Sequence, residues 1–369
     1  MGKKIIIAVI NDLSGDQRIH RIATTLAENG FDVQVVGRLL PDSQTLAHRP
    51  YQTHRMKLWF RKGKWFYLEY NLRLFWYLLW QKAAIFNAND LDTLGASFLA
   101  AAITGAELIY DSHEYFTEVP ELVERPFTRK IWLLLEGWIF PRLKKVYTVN
   151  AMIAEIYSRK YGINVGVVRN LPFSREPISQ PEHSNTLLYQ GALNLGRGIE
   201  LMIDAMQYLP EYTLQIIGRG DIEAQLKQRI ADKKINNVDF RGFIPFESLY
   251  VLTTQACLGL SLEEDLGANY RYASPNKIYD YIQANVPVLV SDLPVMRQLV
   301  ESNHTGEILP VSARTPENLA KRIRSITENT AYYESLKENC RKAARELNWE
   351  KEKQVLLAYY SPSNPSQTS

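Results

Sequence analysis

Cysteine is almost missing: the 369 residues hold only Cys257 and Cys340. Lying far apart and without a metal-ligand spacing around either, they argue against a disulfide framework or a structural zinc site, and a reducing cytoplasm suits the chain best. Long apolar runs are missing too. No stretch reaches the roughly 20 residues that cross a bilayer, and the apolar start of MGKKIIIAVIND stops at Asn11 and Asp12, short of a signal-peptide core. The expectation is a chain neither exported nor membrane-spanning. Charge of one sign is scarce as well, and a net +3 is too small to argue for nucleic acid as a partner. What is present, 46% hydrophobic and 22% charged residues, suits a globular chain whose length is comfortable for two domains.

Short β-branched runs alternate with longer amphipathic ones from the start. The pattern predicts a strand at Lys4–Ile10, a helix near Asp16–Asn29, a strand at Asp32–Val36 and further pairs ending at Lys145–Val149 and Val165–Val168. Residues 174–185, SREPISQPEHSN, are polar, carry Pro177 and Pro181 and show no apolar period, so they read as a connector. The rhythm then restarts, with strands at Thr186–Gln190, Thr213–Ile217, Val238–Arg241, Cys257–Leu260, Val286–Ser291 and Gly306–Leu309. The fold class predicted is α/β, two Rossmann-like doubly wound domains over residues 1–173 and 186–348. Residues 349–360 are apolar enough to dock as a helix, and 361–369 form a polar tail with no reason to fold. Ligands of such sheets bind beyond the carboxyl ends of the strands, so two facing halves would hold a nucleotide and its reaction partner in a cleft.

The stretch NYRYASPNKIYDYIQANVPVLV, residues 269–290, predicts a loop, a short helix and a buried strand. With Ser274 as N-cap and Pro275 as first helical residue, the free N–H groups of Asn276 and Lys277 would point outward beside the lysine charge, as an anion site requires. Asp280, one turn on and on the same face, could accept from two ribose hydroxyls. The plainer reading is a capped helix with solvated charges. Two strand ends add weight. GALNLGRGIE carries Gly191, Gly196 and Gly198 with Arg197 before a helix, and IIGRGD carries Gly218 and Gly220. Neither is a GxGxxG fingerprint, and each alone is ordinary turn chemistry, but together they would converge on one crevice.

YQGALNLGRGIELMIDA, LQIIGRGD, VDFRGFIPFESL and SPNKIYDYIQANVPVLVSDLP, in that order, resemble the nucleotide-sugar half of a GT-B glycosyltransferase, most closely family four, the retaining sugar transferases. NDLSGDQRIHRIATTLAENGFDVQVVG, NANDLDTL and LIYDSHEYFTE are similar to the first half of one branch of that family, so the resemblance covers nearly the whole chain. It implies two Rossmann-like domains, a C-terminal helix crossing back to the first, and transfer from a UDP-, GDP- or TDP-type sugar to a glycan or lipid-linked acceptor. No obligatory metal or other cofactor is implied. It assigns the diphosphate to Arg197 and Lys277, the ribose to Asp280 and the neighbourhood of the transferred sugar to His113. The chain departs from the family's two glutamates: Asp280 stands at the second position and Tyr272 eight residues before it, with Glu263 and Glu264 further upstream. Ala192 stands where an arginine is common. The contact to the donor sugar's hydroxyls therefore falls to Asn269, Tyr270, Arg271 or Tyr272.

In the first half, the loop Asn11–Asp16 follows strand one, and Gly15 would allow close approach of a ligand. His113, just after the strand at Leu108–Tyr110, can hydrogen-bond a sugar hydroxyl or move a proton, or it can merely bridge neighbouring carboxylates. For a retaining transfer the family's usual account has the leaving phosphate assist the acceptor hydroxyl, which leaves the protein to stabilise charge and place the acceptor. Asp90-Leu91-Asp92 is formally a metal-binding DxD, but its place before TLGASFLAAAI favours helix capping.

Between Arg55 and Lys82, four tryptophans and seven basic residues accompany one acid, Glu69, a mixture suited to an anionic lipid surface. Leu68, Leu72, Phe75 and Leu79 would equally form the core face of a helix, which leaves WFRKGKWF as the membrane candidate. RKIWLLLEGWIFPRLKK adds a second basic and apolar stretch. The leading reading is a sugar transferase, cytoplasmic and peripheral at the inner face of the membrane, that builds cell-surface polysaccharide or glycolipid. A nucleotide-sugar epimerase of the same architecture and a two-lobed sugar-binding protein are its rivals.

Overall fold

A computed structural model describes residues 2–176, 178 and 184–361, and only the backbone of 246 and 247. Within the expected connector, Pro177 and residues 179–183 lie outside the described residues, as do 362–369 of the expected tail. The chain divides after Asn170 and again after Lys351: residues up to Asn170 and from Glu352 onward make the first unit, and Leu171–Lys351 the second.

The first unit is a parallel sheet of seven strands, β1 (Lys4–Ala8), β2 (Asp32–Leu39), β3 (Gln52–Lys57), β4 (Ile85–Asn89), β5 (Glu107–Ser112), β6 (Lys145–Thr148) and β7 (Val165–Val167). Their order across the sheet is β3-β2-β1-β4-β5-β6-β7. Ile5, Ile6 and Ile7 of β1 are all fully buried, as expected of a parallel strand covered on both faces. The helices are α1 (Gln17–Glu28), α2 (Gly63–Leu79), α3 (Leu91–Thr104), α4 (Pro120–Val123), α5 (Pro126–Ile139) and α6 (Ala151–Tyr161). Because the chain steps one way through α1 and the other way through α2, α3 and α5, right-handed crossovers put α1 on one face and those three on the other.

Helix α2 corrects an expectation. Its core face is Phe66, Tyr70, Leu74 and Leu78, whereas Leu68 and Leu72 are exposed and Phe75 and Leu79 only partly covered. Both stripes are apolar, so periodicity alone could not choose between them. Tyr70 distinguishes them: it fills the core while its hydroxyl donates to the Val9 carbonyl at the end of β1, which no leucine can do.

The second unit is a six-stranded parallel sheet of β8 (Thr186–Gln190), β9 (Thr213–Ile217), β10 (Val238–Gly242), β11 (Leu258–Ser261), β12 (Val288–Ser291) and β13 (Gly306–Leu309), in the order β10-β9-β8-β11-β12-β13. Strand β12 begins two residues later than its sequence suggests. Pro287 has no N–H for the ladder, and the Val286 amide closes the preceding helix on Tyr281. The unit's helices are α7 (Ile199–Ala205), α8 (Glu223–Lys233), α9 (Phe246–Thr253), α10 (Ala268–Arg271), α11 (Asn276–Gln283), α12 (Pro294–Asn303), α13 (Pro316–Thr327) and α14 (Thr330–Glu346). Two apolar clusters form the core, one against each face of the sheet.

The second unit starts earlier than residue 186 because Leu171 is fully buried in one of those clusters and the Pro172 carbonyl accepts from the Trp349 amide. The last helix, α15 (Trp349–Tyr360), begins there. From Glu352 on it belongs to the first unit: the Glu352 carboxylate accepts from the Arg169 amide and guanidinium, and Tyr360 packs its hydroxyl 3.2 Å from that of Tyr147.

Candidate functional site

In the second unit the glycine-rich ends of β8 and β9 are built together. Gly218 has φ +145°, and a Cβ there would fall 1.8 Å from the Gly191 carbonyl oxygen, so the two loops meet backbone to backbone. The Leu193 carbonyl stands against Gly220 in the same way. These glycines let the strand ends pack, and Gly191 in addition leaves room for the stem of Lys277, whose Cε would lie 3.3 Å from a Cβ at that position.

Lys277 sits in the first turn of α11 and is only 8% exposed. Its Nζ donates to Glu263 Oε1 at 2.8 Å and lies 4.1 Å from the centre of the Tyr189 ring. Glu263 is buried, accepts from Ser261 Oγ at 2.7 Å and has an Arg197 nitrogen 3.8 Å away. Burial opposes its ionisation most strongly of any single influence, but the Lys277 charge, the hydrogen bonds from Lys277 and Ser261 and the Arg197 charge together hold its carboxyl below the usual range. The Arg197 guanidinium lies over the Tyr270 ring at 5.1 Å, and the Tyr270 hydroxyl donates to the Leu195 carbonyl. A third cation is close: Arg314 donates to Ser291 Oγ at 2.6 Å and to the Leu262 carbonyl at 2.9 Å, and the Ser291 hydroxyl donates to the Glu263 carbonyl. Three cations against Glu263 and the adjacent Glu264 leave one positive charge in excess at the carboxyl ends of the strands, which favours a polyanion. Arg197 and Lys277 were legible in the sequence, but Glu263 and Arg314 were not. A carboxylate just after β11 was the only sign of the former.

Other predicted residues behave differently. Ser274 does not cap α11: its hydroxyl is 2.9 Å from the Tyr279 hydroxyl, and Pro275, extended at ψ 124°, occupies the N-cap position. The helix thus begins one residue late, at the exposed Asn276, and no side chain caps its first amides. Lys277 and Asp280, three residues apart on α11, take different partners: Lys277 reaches Tyr189 and Glu263, whereas Asp280 Oδ2 accepts from Gln190 Nε2 at 3.1 Å. Asp280 lines a pocket with Arg175, Tyr250 and Thr253, and Thr253 Oγ1 donates to Gln190 Oε1. Asn269, within α10, and Tyr272, at its C-cap, are half-buried, and Arg271 is exposed and paired with Asp265 at 2.7 Å.

In the first unit His113 follows β5 and is held from both sides. Nδ1 is 3.2 Å from Asp90 Oδ2, and Nε2 is 3.2 Å from both Asp111 Oδ2 and Asn89 Oδ1. Arg18 grips Asp111 through two nitrogens at 2.7 and 3.0 Å. Burial disfavours the imidazolium, yet the charges of Asp90 and Asp111 prevail and push its pKa up to about 9. The ring therefore bridges the neighbouring carboxylates, and at neutral pH it is a cation and donor instead of a free base. Asp90 has φ +56° and ψ 167°, a conformation costly outside glycine. It holds the N-cap position of α3, but its carboxylate accepts from the His113 amide at 2.8 Å and makes no cap bond, which corrects the expected capping role. Asp92 is buried with Oδ1 unpartnered, and burial, then the Asp90 charge, raise its pKa well above the usual range. Among the described residues no three His, Cys, Asp or Glu side chains gather as a metal-ligand set. Gly15 is exposed with nothing within 4 Å of a Cβ, and the fixed points of its loop are Asn11, Asp12 and Asp16 through side-chain bonds.

Residues 172–346 match the family model described as glycosyl transferases group 1, and residues 16–171 match glycosyltransferase family 4. The matches meet one residue beyond the structural division after Asn170. No curated protein matches the chain in sequence. Among solved structures, sucrose-phosphate synthase from Thermosynechococcus elongatus superposes with a TM-score of 0.81 over 97% of this chain and 98% of that one, at 18% identity. Anabaena HepE in complex with UDP and glucose gives 0.74 over 98% and 100%, at 16% identity. WaaG, a glycosyltransferase involved in lipopolysaccharide biosynthesis, gives 0.72 over 97% and 100%, at 15% identity. Such identities speak to fold alone. Taken with the two family matches over residues 16–346 and the two parallel α/β units, they establish that the chain belongs to the GT-B glycosyltransferases of family 4.

Proposed function

We propose that the chain transfers a hexose, with retention, from a nucleotide-diphosphate sugar to a glycan or lipid-linked acceptor in cell-surface polysaccharide or glycolipid biosynthesis. The observation that carries this reading is the buried Glu263 carboxylate gathering Lys277 and Arg197 at the strand ends. When the sugar C1–O bond to the diphosphate breaks, the leaving oxygens gain charge, and these cations with the uncapped start of α11 would meet it. The acceptor hydroxyl forms the new bond to C1, and its proton passes to the departing phosphate. This sequence uses no obligatory metal or other cofactor. His113, an imidazolium whose two ring N–H groups are engaged by Asp90 and Asp111, serves near the transferred sugar as fixed positive charge, and Asp280 serves the ribose. Asn269 and Tyr272 are offered for the sugar hydroxyls. HepE, solved with UDP and glucose, supports putting UDP first among UDP, GDP and TDP. No helix among the described residues is long and apolar enough to cross a membrane, and the place proposed is the cytoplasmic face of one, held peripherally.

The test is transfer of labelled sugar from UDP-, GDP- and TDP-sugars to extracted lipid-linked and glycan acceptors, with EDTA present. Transfer of label with the donor's anomeric configuration kept supports the reading. Donor interconversion without an acceptor would favour an epimerase, and donor binding without turnover a sugar-binding protein.

A further inference from the structure

Among the described residues, the exposed large apolar side chains of the first unit are gathered: all but Leu39 and Val355 fall between residues 59 and 138. On α2 the outer stripe is Trp65, Leu68, Leu72 and Trp76, spaced by three or four residues, opposite the core stripe. On α5 it is Phe127, Ile131, Leu134 and Trp138 at the same kind of spacing, and on α3 it is Leu99 and Ile103. The three helices touch pairwise. Asn71 Nδ2 donates to the Asp92 carbonyl at 2.9 Å, Phe98 meets Trp138 edge-on at 5.4 Å, and Tyr67 meets Trp132 at 5.5 Å. All three run from the carboxyl end of one strand of a parallel sheet to the amino end of the next, so their outer stripes lie side by side as one layer.

The charge on and just before α2 is almost all of one sign. Residues 55–82 hold seven basic side chains against Glu69 alone. Glu69 is occupied, accepting from the Trp59 and Phe60 amides and from Arg73. An open groove between the edge strand β3 and α2 is lined by Arg55, Lys57, Arg73, Trp76 and Trp80. Trp59 and Trp80 are each 82% exposed, and a tryptophan with an apolar ring and a polar N–H settles at the level of lipid headgroups.

We propose that this face, the outer sides of α2, α3 and α5 with the basic groove beside them, docks on an anionic lipid bilayer. A bilayer surface matches both properties, apolar depth and negative headgroups. A second copy does not, since twofold apposition would set basic groups against basic groups. The sequence pointed first to WFRKGKWF, with RKIWLLLEGWIFPRLKK as a second stretch, whereas the structure joins three helices in one contact. The inference gives the proposed transferase access to a lipid-linked acceptor, but it stands on the first unit and is measured apart from the donor site.

The test is sedimentation of the full chain with vesicles of phosphatidylcholine, with and without about one third phosphatidylglycerol. Binding is expected only with the anionic lipid, weakened by salt, and with a blue shift of tryptophan fluorescence. Leu72→Glu together with Leu134→Glu, both at exposed positions, should lower the bound fraction about tenfold or more while the unfolding midpoint and nucleoside diphosphate binding stay unchanged. Absence of vesicle binding, equal binding by the double variant, or a dimer in ultracentrifugation that the double variant dissociates would each overturn the inference. Loss of nucleoside diphosphate binding with docking intact would instead count against the donor-site reading.

Discussion

Lys277 Nζ and Glu263 Oε1 lie 2.8 Å apart in the interior of the second unit, fourteen residues separated in sequence and joined at the ends of neighbouring elements. The pair fixes where the lysine's charge is presented. Removing the acid would leave a buried ammonium with no carboxylate, so Glu263→Gln should destabilise by about 3–5 kcal/mol. Lys277→Met should cost less, because Glu263 keeps Ser261 and Arg197. Adding Lys277→Met to Glu263→Gln should recover part of the loss. Urea unfolding of the three variants checks the order, and a cost below 1 kcal/mol for Glu263→Gln contradicts it.

Arg197→Ala and Lys277→Ala should each weaken nucleoside diphosphate binding by about 1–3 kcal/mol, the range of a charge-assisted contact. Titration calorimetry reads both. Arg314→Ala should weaken binding less, since its donors already serve Ser291 and Leu262, and a larger loss there would make it the principal cation.

His113 makes stability depend on pH. Its pKa is raised in the folded state to about 9 from an ordinary value near 6.5, by Asp90 and Asp111 against the opposing effect of burial. The stabilisation is fully present below about pH 6.5 and lost as pH rises through about 9. His113→Gln should flatten the fall of the melting temperature across that window. A slope unchanged by the substitution would show that the imidazolium is not formed.

Asp92 works in the same direction from a lower pH. A buried acid with a raised pKa stays neutral while its unfolded counterpart ionises, so it begins to cost stability above about pH 4. Asp92→Asn should remove that cost and leave the protein at pH 7 as stable as the parent or more so, whereas Asp90→Asn should destabilise by about 1–3 kcal/mol because it takes a charge from His113. Melting curves of both variants at pH 5 and 7 separate them.

Much of this architecture could be read from the sequence, because buried parallel strands appear as β-branched runs and the crossover helices as amphipathic ones between them. Ile5 to Ile7 and Val288 to Val290 announce themselves this way. Arg197 and Lys277 were visible because they sit beside helix starts that follow glycine-rich or proline-containing loops. Glu263 was not, since its meaning comes from a partner fourteen residues away. Ser274 looked like a cap and is not one, its hydroxyl having found Tyr279 instead. On α2 two apolar stripes competed, and a single hydroxyl bond to the strand below marks the one that is buried.

The most direct test of the donor site is thermal unfolding of the protein and its Lys277→Ala variant with UDP, GDP, TDP, CDP and ADP in parallel, in EDTA. One nucleotide should stabilise the parent, by roughly 2.7 kcal/mol at a hundred times its dissociation constant, and the variant much less at the same concentration. Stabilisation by none of the five, or the same stabilisation in the variant, would contradict the assignment of the diphosphate to Lys277 and its buried carboxylate.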